Sequence, residues 1–308
     1  MHAAVKLDIF TLLDGASLSA KDVAGKINGS ERGVTVLLNA LVAMELLARE
    51  SNGKFANTPS SKKFLSLKSD NYIGYMVMHH HHLVDGWAQL DKAVLSGEPI
   101  QKRSHGDEVE RESFLMGMSN MAMAIAPKLT EQVDLFGRKH LLDLGGGPGT
   151  HAVHFCLANP DLKATVYDLP TTKAFAKKTA EKYGVGDRVD FISGDFLTDP
   201  ISGEYDAAWL SQILHSHGPD ACQNVIDKTV RCLTKGGIVM IHEFFLNETL
   251  DGPLFPAVFS LNMLINNEKG RSYSEKEVSK MLKKSGVREI HKLPFLGPNE
   301  SYVLCGTV

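Results

Sequence analysis

The chain has 308 residues, 43% of them hydrophobic and 22% charged, enough for two domains and a large core. A net charge of -3 with no basic block leaves no electrostatic footprint for nucleic acid. No apolar run approaches the ~18 residues of a membrane span, the N-terminus lacks a signal-peptide pattern, and Cys156, Cys222, Cys232 and Cys305 show no metal spacing, so a cytoplasmic protein with free buried thiols and no membrane partner is expected.

Residues 1–105 read as helical with a small β element. An amphipathic helix over 3–13 opens the sequence almost at once, which leaves open an element upstream of it. A short helix over 18–27 is capped by Ser19, and a second over 30–47 is capped by Ser30, with apolar residues at 34, 37, 38, 41, 42 and 46. The stretch 47–58 reads as two strands around an Asn52-Gly53 hairpin. Helix, turn, helix and hairpin make a winged-helix arrangement. A DNA-reading second helix needs Arg, Lys, Asn or Gln on its outer face. Here Arg32 and Asn39 are opposed by Glu31 and Glu45, and the helix is otherwise apolar nearly all round. Burial against a core or a second chain fits better, so dimerisation is favoured and a DNA-binding regulator is the remote alternative.

A further helix is expected over 71–96, ended by Gly97-Glu98-Pro99. It carries His79–His82, which cannot all serve one metal because successive helical residues point about 100° apart. Two should face a core or cleft and two solvent. Residues 107–136 read as a Met-rich helical region interrupted by Pro127. Strands then alternate with helices at 140–144, 164–167, 189–192, 205–210 and 237–243, the pattern of a doubly wound parallel α/β sheet. Apolar runs at 288–295 and 300–308 close the chain, the last expected antiparallel at or near the sheet edge. The domains are thus read as 1–105 for dimerisation and 106–308 for ligand binding, with 106–136 as linking helices that line an acceptor pocket.

The chemistry starts at Leu141-Leu142-Asp143-Leu144-Gly145-Gly146-Gly147-Pro148-Gly149-Thr150. A strand, a tight glycine loop and a helix start let a ligand approach the backbone and meet free N–H groups at the positive end of a helix. A dinucleotide fingerprint, G-x-G-x-x-G, fails at Thr150 in one register and is weak at Ala152 in the other, which disfavours a nicotinamide oxidoreductase. The spacing of Asp143, Gly145, Gly147 and Gly149 instead resembles motif I of S-adenosylmethionine-dependent methyltransferases. Asp168 ends the second strand about 20 residues on, where a carboxylate can accept both ribose hydroxyls. After the third strand, Asp195 can accept from an adenine amino group while Phe196 covers the ring. Either Asp alone would more simply be a cap or turn residue. Three strand ends in order, each with a suitable group, favour the binding reading.

His215 and His217 follow the fourth strand, at the strand ends that form the crevice of a doubly wound sheet. A neutral imidazole there can take a proton from a hydroxyl near pH 7. Glu243, at the end of the fifth strand, can orient that imidazole and stabilise its charged form. His242 should point to the opposite face.

Taken together, these segments resemble the O-methyltransferase family of plant caffeic acid and flavonoid enzymes, vertebrate acetylserotonin methyltransferase and many bacterial natural-product enzymes. The likeness covers essentially the whole chain, through the N-terminal arm, the glycine loop, Tyr167-Asp168-Leu169-Pro170, Gly194-Asp195-Phe196, Ile213-Leu214-His215, the run from Gly236 to Glu243, and Gly270-Arg271-Ser272-Tyr273-Ser274-Glu275. The resemblance implies S-adenosylmethionine as cofactor, bound by Gly145, Asp168, Asp195 and Phe196. It implies His215 as base with Glu243 as its partner, and an N-terminal arm that forms a homodimer. Ser211 joins the cofactor residues because plant relatives carry a cofactor-contacting Lys near it. Ser216 replaces an Asp common after the catalytic His, and Ser272 replaces a second carboxylate flanking the base.

The expected reaction is methyl transfer to a hydroxyl of a small aromatic or heteroaromatic acceptor, the protein supplying orientation, a base and a dry site without a metal. Phe114, Met118, Met121, Met123 and Ile125 of the long helix, with Phe259, Asn262, Met263 and Asn266 after the fifth strand, are expected to wall the acceptor pocket. Asn262 and Asn266 lie four apart, so one can meet a ring substituent. N- or C-methylation on the same scaffold is the alternative.

Overall fold

The computed structural model describes residues 1–100 and 108–308. Contacts divide the chain into two units, one of residues 1–84 with the described part of 105–120, the other of 85–100 and 121–308. The sequence-based boundary between 105 and 106 lies outside the described residues.

In the first unit the opening amphipathic stretch is two helices, α1 (His2–Lys6) and α2 (Ile9–Leu12), rather than one. The break is Asp8, at φ 55, a left-handed conformation that Asp tolerates better than most residues. Ser19 caps α3 (Ala20–Lys26) through a full capping box with Asp22, and Ser30 caps α4 (Glu31–Ala43). The second helix stops at Ala43, short of 47, because Glu45 turns left-handed at φ 58 and Leu47 already pairs in the hairpin. Strands β1 (Leu47–Arg49) and β2 (Phe55–Asn57) are antiparallel around the Asn52-Gly53 turn. Ile9, Phe10, Leu13, Val23, Leu38, Leu41, Leu47 and Phe55 form the core of this unit.

After α5 (Pro59–Leu65), the expected helix over 71–96 is two, α6 (Gly74–Trp87) and α7 (Leu90–Ser96), the second ended by left-handed Gly97. Of the four histidines only His80 is exposed. His81 meets Lys6 and His2, His82 lies 3.6 Å from Glu110, and His79 packs on Phe114. Helix α8 (Glu108–Gln132) runs through Pro127 rather than being interrupted there. The proline costs about 3 kcal/mol in a helix interior. Ala126, Leu129 and Val133 are fully or almost fully buried around it, and tertiary packing of that turn outweighs the local penalty.

The second unit holds a seven-stranded sheet in the order β5-β4-β3-β6-β7-β9-β8. Its strands are β3 (His140–Leu144), β4 (Lys163–Asp168), β5 (Val189–Ser193), β6 (Tyr205–Ser211), β7 (Leu233–Glu243), β8 (Arg288–Leu296) and β9 (Tyr302–Thr307). The first five in chain order are parallel, β9 is antiparallel between β7 and β8, and β5 and β8 are the two edges. Between them run α9 (Thr150–Ala158), α10 (Lys173–Lys182), α11 (Pro219–Arg231), α12 (Leu254–Asn266) and α13 (Glu275–Lys284). Both faces of the sheet are covered, which is why its strands read as continuous apolar runs. Leu142, Ala208, Leu210 and Ile241 pack on one face, and their neighbours Leu141, Ala207, Trp209 and Met240 on the other. All four cysteines are buried in this unit, and burial pushes every thiol up to about 11.

Candidate active site

The carboxyl ends of β5, β4, β3, β6 and β7 stand side by side in the sheet. They carry, in that order, the Asp195-Phe196 segment, Asp168, the glycine loop, Ser211 and Glu243. Chain order reverses between β3 and β6, the switch point at which open α/β sheets bind ligands.

Gly145, Gly147 and Gly149 all adopt positive φ, at 66, 52 and 72°. A Cβ on Gly145 would lie 2.7 Å from Ile213 Cγ2, so only glycine closes this turn. Asp143 sits beneath the loop rather than at its surface. Its carboxylate accepts from the Ala152 N–H at 3.2 Å and packs against Gly146, and burial pushes its pKa up to about 7. Asp168 accepts from the N–H groups of Gly147 (2.7 Å) and Leu169 (2.6 Å), and burial, partly offset by these bonds, raises its pKa. A carboxylate offers about four acceptor sites, and these bonds leave capacity for a ligand. Asp195 Oδ1 accepts from the Leu197 N–H at 2.9 Å, and the Phe196 ring stands edge to face with His217 at 5.7 Å. A strained cradle with no room for a Cβ, flanked by carboxylates at successive strand ends, fits the amino-acid, ribose and adenine parts of S-adenosylmethionine.

Ser211 is engaged from behind. His242 lies between Ser211 Oγ (2.9 Å from Nδ1) and Ser301 Oγ (3.1 Å from Nε2), stacked on Trp209 on the sheet face away from Glu243, as strand alternation requires. Ser301 donates to the Pro298 carbonyl, so it accepts from His242 Nε2–H and Ser211 donates to Nδ1. The Ser211 oxygen therefore offers only lone pairs to a ligand. Burial holds the His242 ring neutral, its pKa down at about 4.

His215 sits in a 3-10 turn (Leu214–Ser216) and its Nδ1 is 2.8 Å from Glu243 Oε2. Glu243 is 4% exposed and accepts also from the N–H groups of Leu214 (2.9 Å), His215 (3.4 Å) and Phe244 (3.3 Å), which fixes the carboxylate and through it the ring. His217 is oriented differently, its ring on Phe196 and its carbonyl accepting from Tyr273. The two histidines left open by the sequence thus face a carboxylate and an aromatic ring respectively.

Phe259 stands edge-on to His215 at 4.8 Å, and Met263 is buried one turn on. Asn262 Oδ1 accepts from Trp87 Nε1 and from Asn266 Nδ2, both at 3.2 Å, so the two asparagines form one bonded set on α12. Phe244 and Phe255 complete the aromatic wall, their rings 4.8 Å apart, and were not singled out from the sequence. The Phe244-Phe245 run directly after Glu243 was the available signal. Phe114 and Met118 belong to the first unit, and Met121 opens the stretch of α8 in the second. Met123 and Ile125 leave the expected pocket wall. Met123 accepts from Tyr183 and meets His154, and Ile125 joins the core under the sheet. Ser272 donates to the Pro256 carbonyl at 2.9 Å and ties its loop to α12. At Gly270 a Cβ would lie 2.7 Å from the His215 carbonyl, so this loop closes tightly on the His215 turn.

Comparison with known proteins returns the same architecture. The family described as "O-methyltransferase domain" matches residues 82–288, and "O-methyltransferase dimerisation domain" matches residues 1–67. The chain is 30% identical to 3-hydroxy-5-methyl-1-naphthoate 3-O-methyltransferase of Streptomyces sahachiroi, over 99% of this chain and 90% of the relative. It is 29% identical to N,N-dimethyltransferase OxyT of Streptomyces rimosus, over 79% and 73%. Human N-acetylserotonin methyltransferase, solved in complex with SAM, superposes with a TM-score of 0.86 at 25% identity, covering 99% of this chain and 92% of that one.

Proposed function

The chain belongs to the O-methyltransferase family and is an S-adenosylmethionine-dependent O-methyltransferase, and from that premise we propose that it methylates a hydroxyl of a small aromatic or heteroaromatic acceptor with His215 as general base and Glu243 as its partner. The observation that carries the residue roles is the 2.8 Å bond between His215 Nδ1 and Glu243, next to the glycine loop at the switch point.

Bound S-adenosylmethionine supplies an electrophilic methyl on a sulfonium centre. The glycine loop, braced from below by Asp143, would hold the amino-acid end, Asp168 the ribose, and Asp195 with Phe196 the adenine. Glu243 keeps the proton of His215 on Nδ1, which leaves the Nε2 lone pair for the acceptor. His215 Nε2 would take the proton of the acceptor hydroxyl, whose oxygen would receive the methyl that bound S-adenosylmethionine supplies. Glu243 stabilises the imidazolium until that proton leaves to solvent. Phe244, Phe255 and Phe259 keep the base dry and offer flat apolar faces to a ring. Met121, Asn262, Met263 and Asn266 are assigned to acceptor recognition in this reading.

The same reading has the enzyme work in the cytoplasm as a homodimer built on its N-terminal domain, without nucleic-acid or membrane partners. None of the helices among the described residues is long and apolar enough to cross a membrane.

Incubation with methyl-labelled S-adenosylmethionine and a panel of hydroxylated naphthoates, indoles and phenols, with their amino counterparts, tests this. Labelled methyl ethers of the hydroxylated members are expected. Because OxyT is an N,N-dimethyltransferase, N-methylation is the second reading, and label found only on the amino members would replace the first.

A further inference from the structure

Lys228 lies in the last turn of α11, and its ammonium does not serve that helix. Nζ donates to the carbonyls of Phe196 (3.2 Å), Leu197 (3.0 Å) and Asp199 (2.8 Å). A lysine has three N–H donors, and all three go to one short main-chain segment. One turn earlier Asn224 Nδ2 donates to the same Leu197 carbonyl at 3.3 Å. The segment is also tied within itself, since Asp199 accepts from the Asp195 N–H and donates its own N–H to the Asp195 carbonyl. Phe196 reaches the glycine loop, its Cε1 3.4 Å from where a Cβ on Gly145 would lie, while the carbonyls of the segment face Lys228. The far end of α11 begins at Pro219, two residues after His217, on whose ring Phe196 rests.

We propose that Lys228 is a positioning residue for the cofactor's nucleobase: it fixes the Asp195-Phe196 segment so that the Asp195 carboxylate meets the adenine amino group, and thereby sets selectivity for adenine. This rests on the cofactor reading above. The physical ground is that charge-assisted bonds are the stronger ones, and here one cation restrains three consecutive-turn carbonyls that have no other side-chain cation among the described residues. Without it the segment keeps its internal turn and the Asn224 bond but loses the three charge-assisted bonds to the sheet-flanking helix.

The experiment compares the full-length wild type with Lys228→Met and Lys228→Arg by calorimetric titration of S-adenosylhomocysteine and its inosine analogue, in which the amino group is replaced by an oxo group. Wild-type binding of the adenine ligand, tighter than the inosine one, tests the cofactor reading by itself. Lys228→Met is expected to weaken S-adenosylhomocysteine by about tenfold. The inosine analogue should change by about twofold or less, KM for S-adenosylmethionine should rise with kcat at saturation kept, and Lys228→Arg should recover part of the loss. Unchanged adenine selectivity in Lys228→Met, or equal loss for both ligands, overturns the proposal. If Lys228→Met does not fold, Asn224→Ala carries the same test with a loss of selectivity of about twofold to threefold, and its absence has the same meaning.

Discussion

His215 and Glu243 share a bond that assigns distinct work to each, and substitution separates them. His215→Ala is expected to lower kcat by on the order of 10²–10⁴-fold while S-adenosylhomocysteine still binds, with His217→Ala far milder in kcat. Turnover rates beside calorimetric Kd values decide it, and the reverse ranking would move the base to His217. Two other histidines have ring nitrogens held away from water and stay uncharged. His151 Nε2 is closed off with no partner, and burial, then the nearby His242 and His154, holds its pKa down at about 3. His242 is held at about 4. For both the folded pKa lies below the ordinary 6.5, so the folded state binds fewer protons than the unfolded one. Their contribution to stability is fully present above pH 6.5 and is lost as pH falls through the window down to about 4 and about 3. His151→Leu removes an unpartnered nitrogen as well as a titrating group. Its Tm should exceed that of the wild type, by a margin that widens as pH drops from 6.5 toward 4, and a constant or negative margin in thermal scans would refute this.

The glycine loop is the element on which cofactor binding turns. In Gly145→Ala the new Cβ meets Ile213 at 2.7 Å in a backbone conformation, φ 66, that alanine resists. A loss of roughly tenfold or more in S-adenosylhomocysteine affinity is expected, with a folded far-ultraviolet spectrum, as titration and circular dichroism would show. This loop was legible in the sequence because its chemistry is written in residue types: glycine where φ is positive, carboxylates where apolar runs stop. The parallel strands were legible for a related reason, since burial on both faces leaves continuous apolar runs. Asp8 and Pro127 show the other side. Local propensity alone would keep the first helix whole and break the long one, and packing around Phe10 and Leu129 decides the opposite way. Lys228 left no trace in the sequence because its partners are carbonyls, which every residue carries. Phe244 was passed over because an aromatic run beyond a strand reads equally well as core, and Phe255 because an aromatic in an apolar helix does the same.

At the scale of the molecule, α4 buries Val34, Leu38 and Leu41 yet leaves Val36 64% exposed, and Met44 at its C-cap is 53% exposed. Both lie within residues 1–67, the segment matched as a dimerisation domain. The wild type is expected to sediment at twice the monomer mass, and Val36→Glu with Met44→Glu to shift it toward monomer. A sedimentation profile unmoved by the double substitution would place the contact elsewhere.

The distribution of sulfur makes the protein its own reporter. Every cysteine lies in the methyltransferase unit, none in residues 1–84 or 108–120, and each thiol is both shielded and poorly ionised at neutral pH. Alkylating reagents should therefore leave the native enzyme untouched for as long as the sheet stays closed. The pace of labelling in dilute denaturant then clocks the opening of that one unit. A single cysteine added to the N-terminal unit would carry a fluorophore without competition, so the unfolding of each unit can be followed on its own channel.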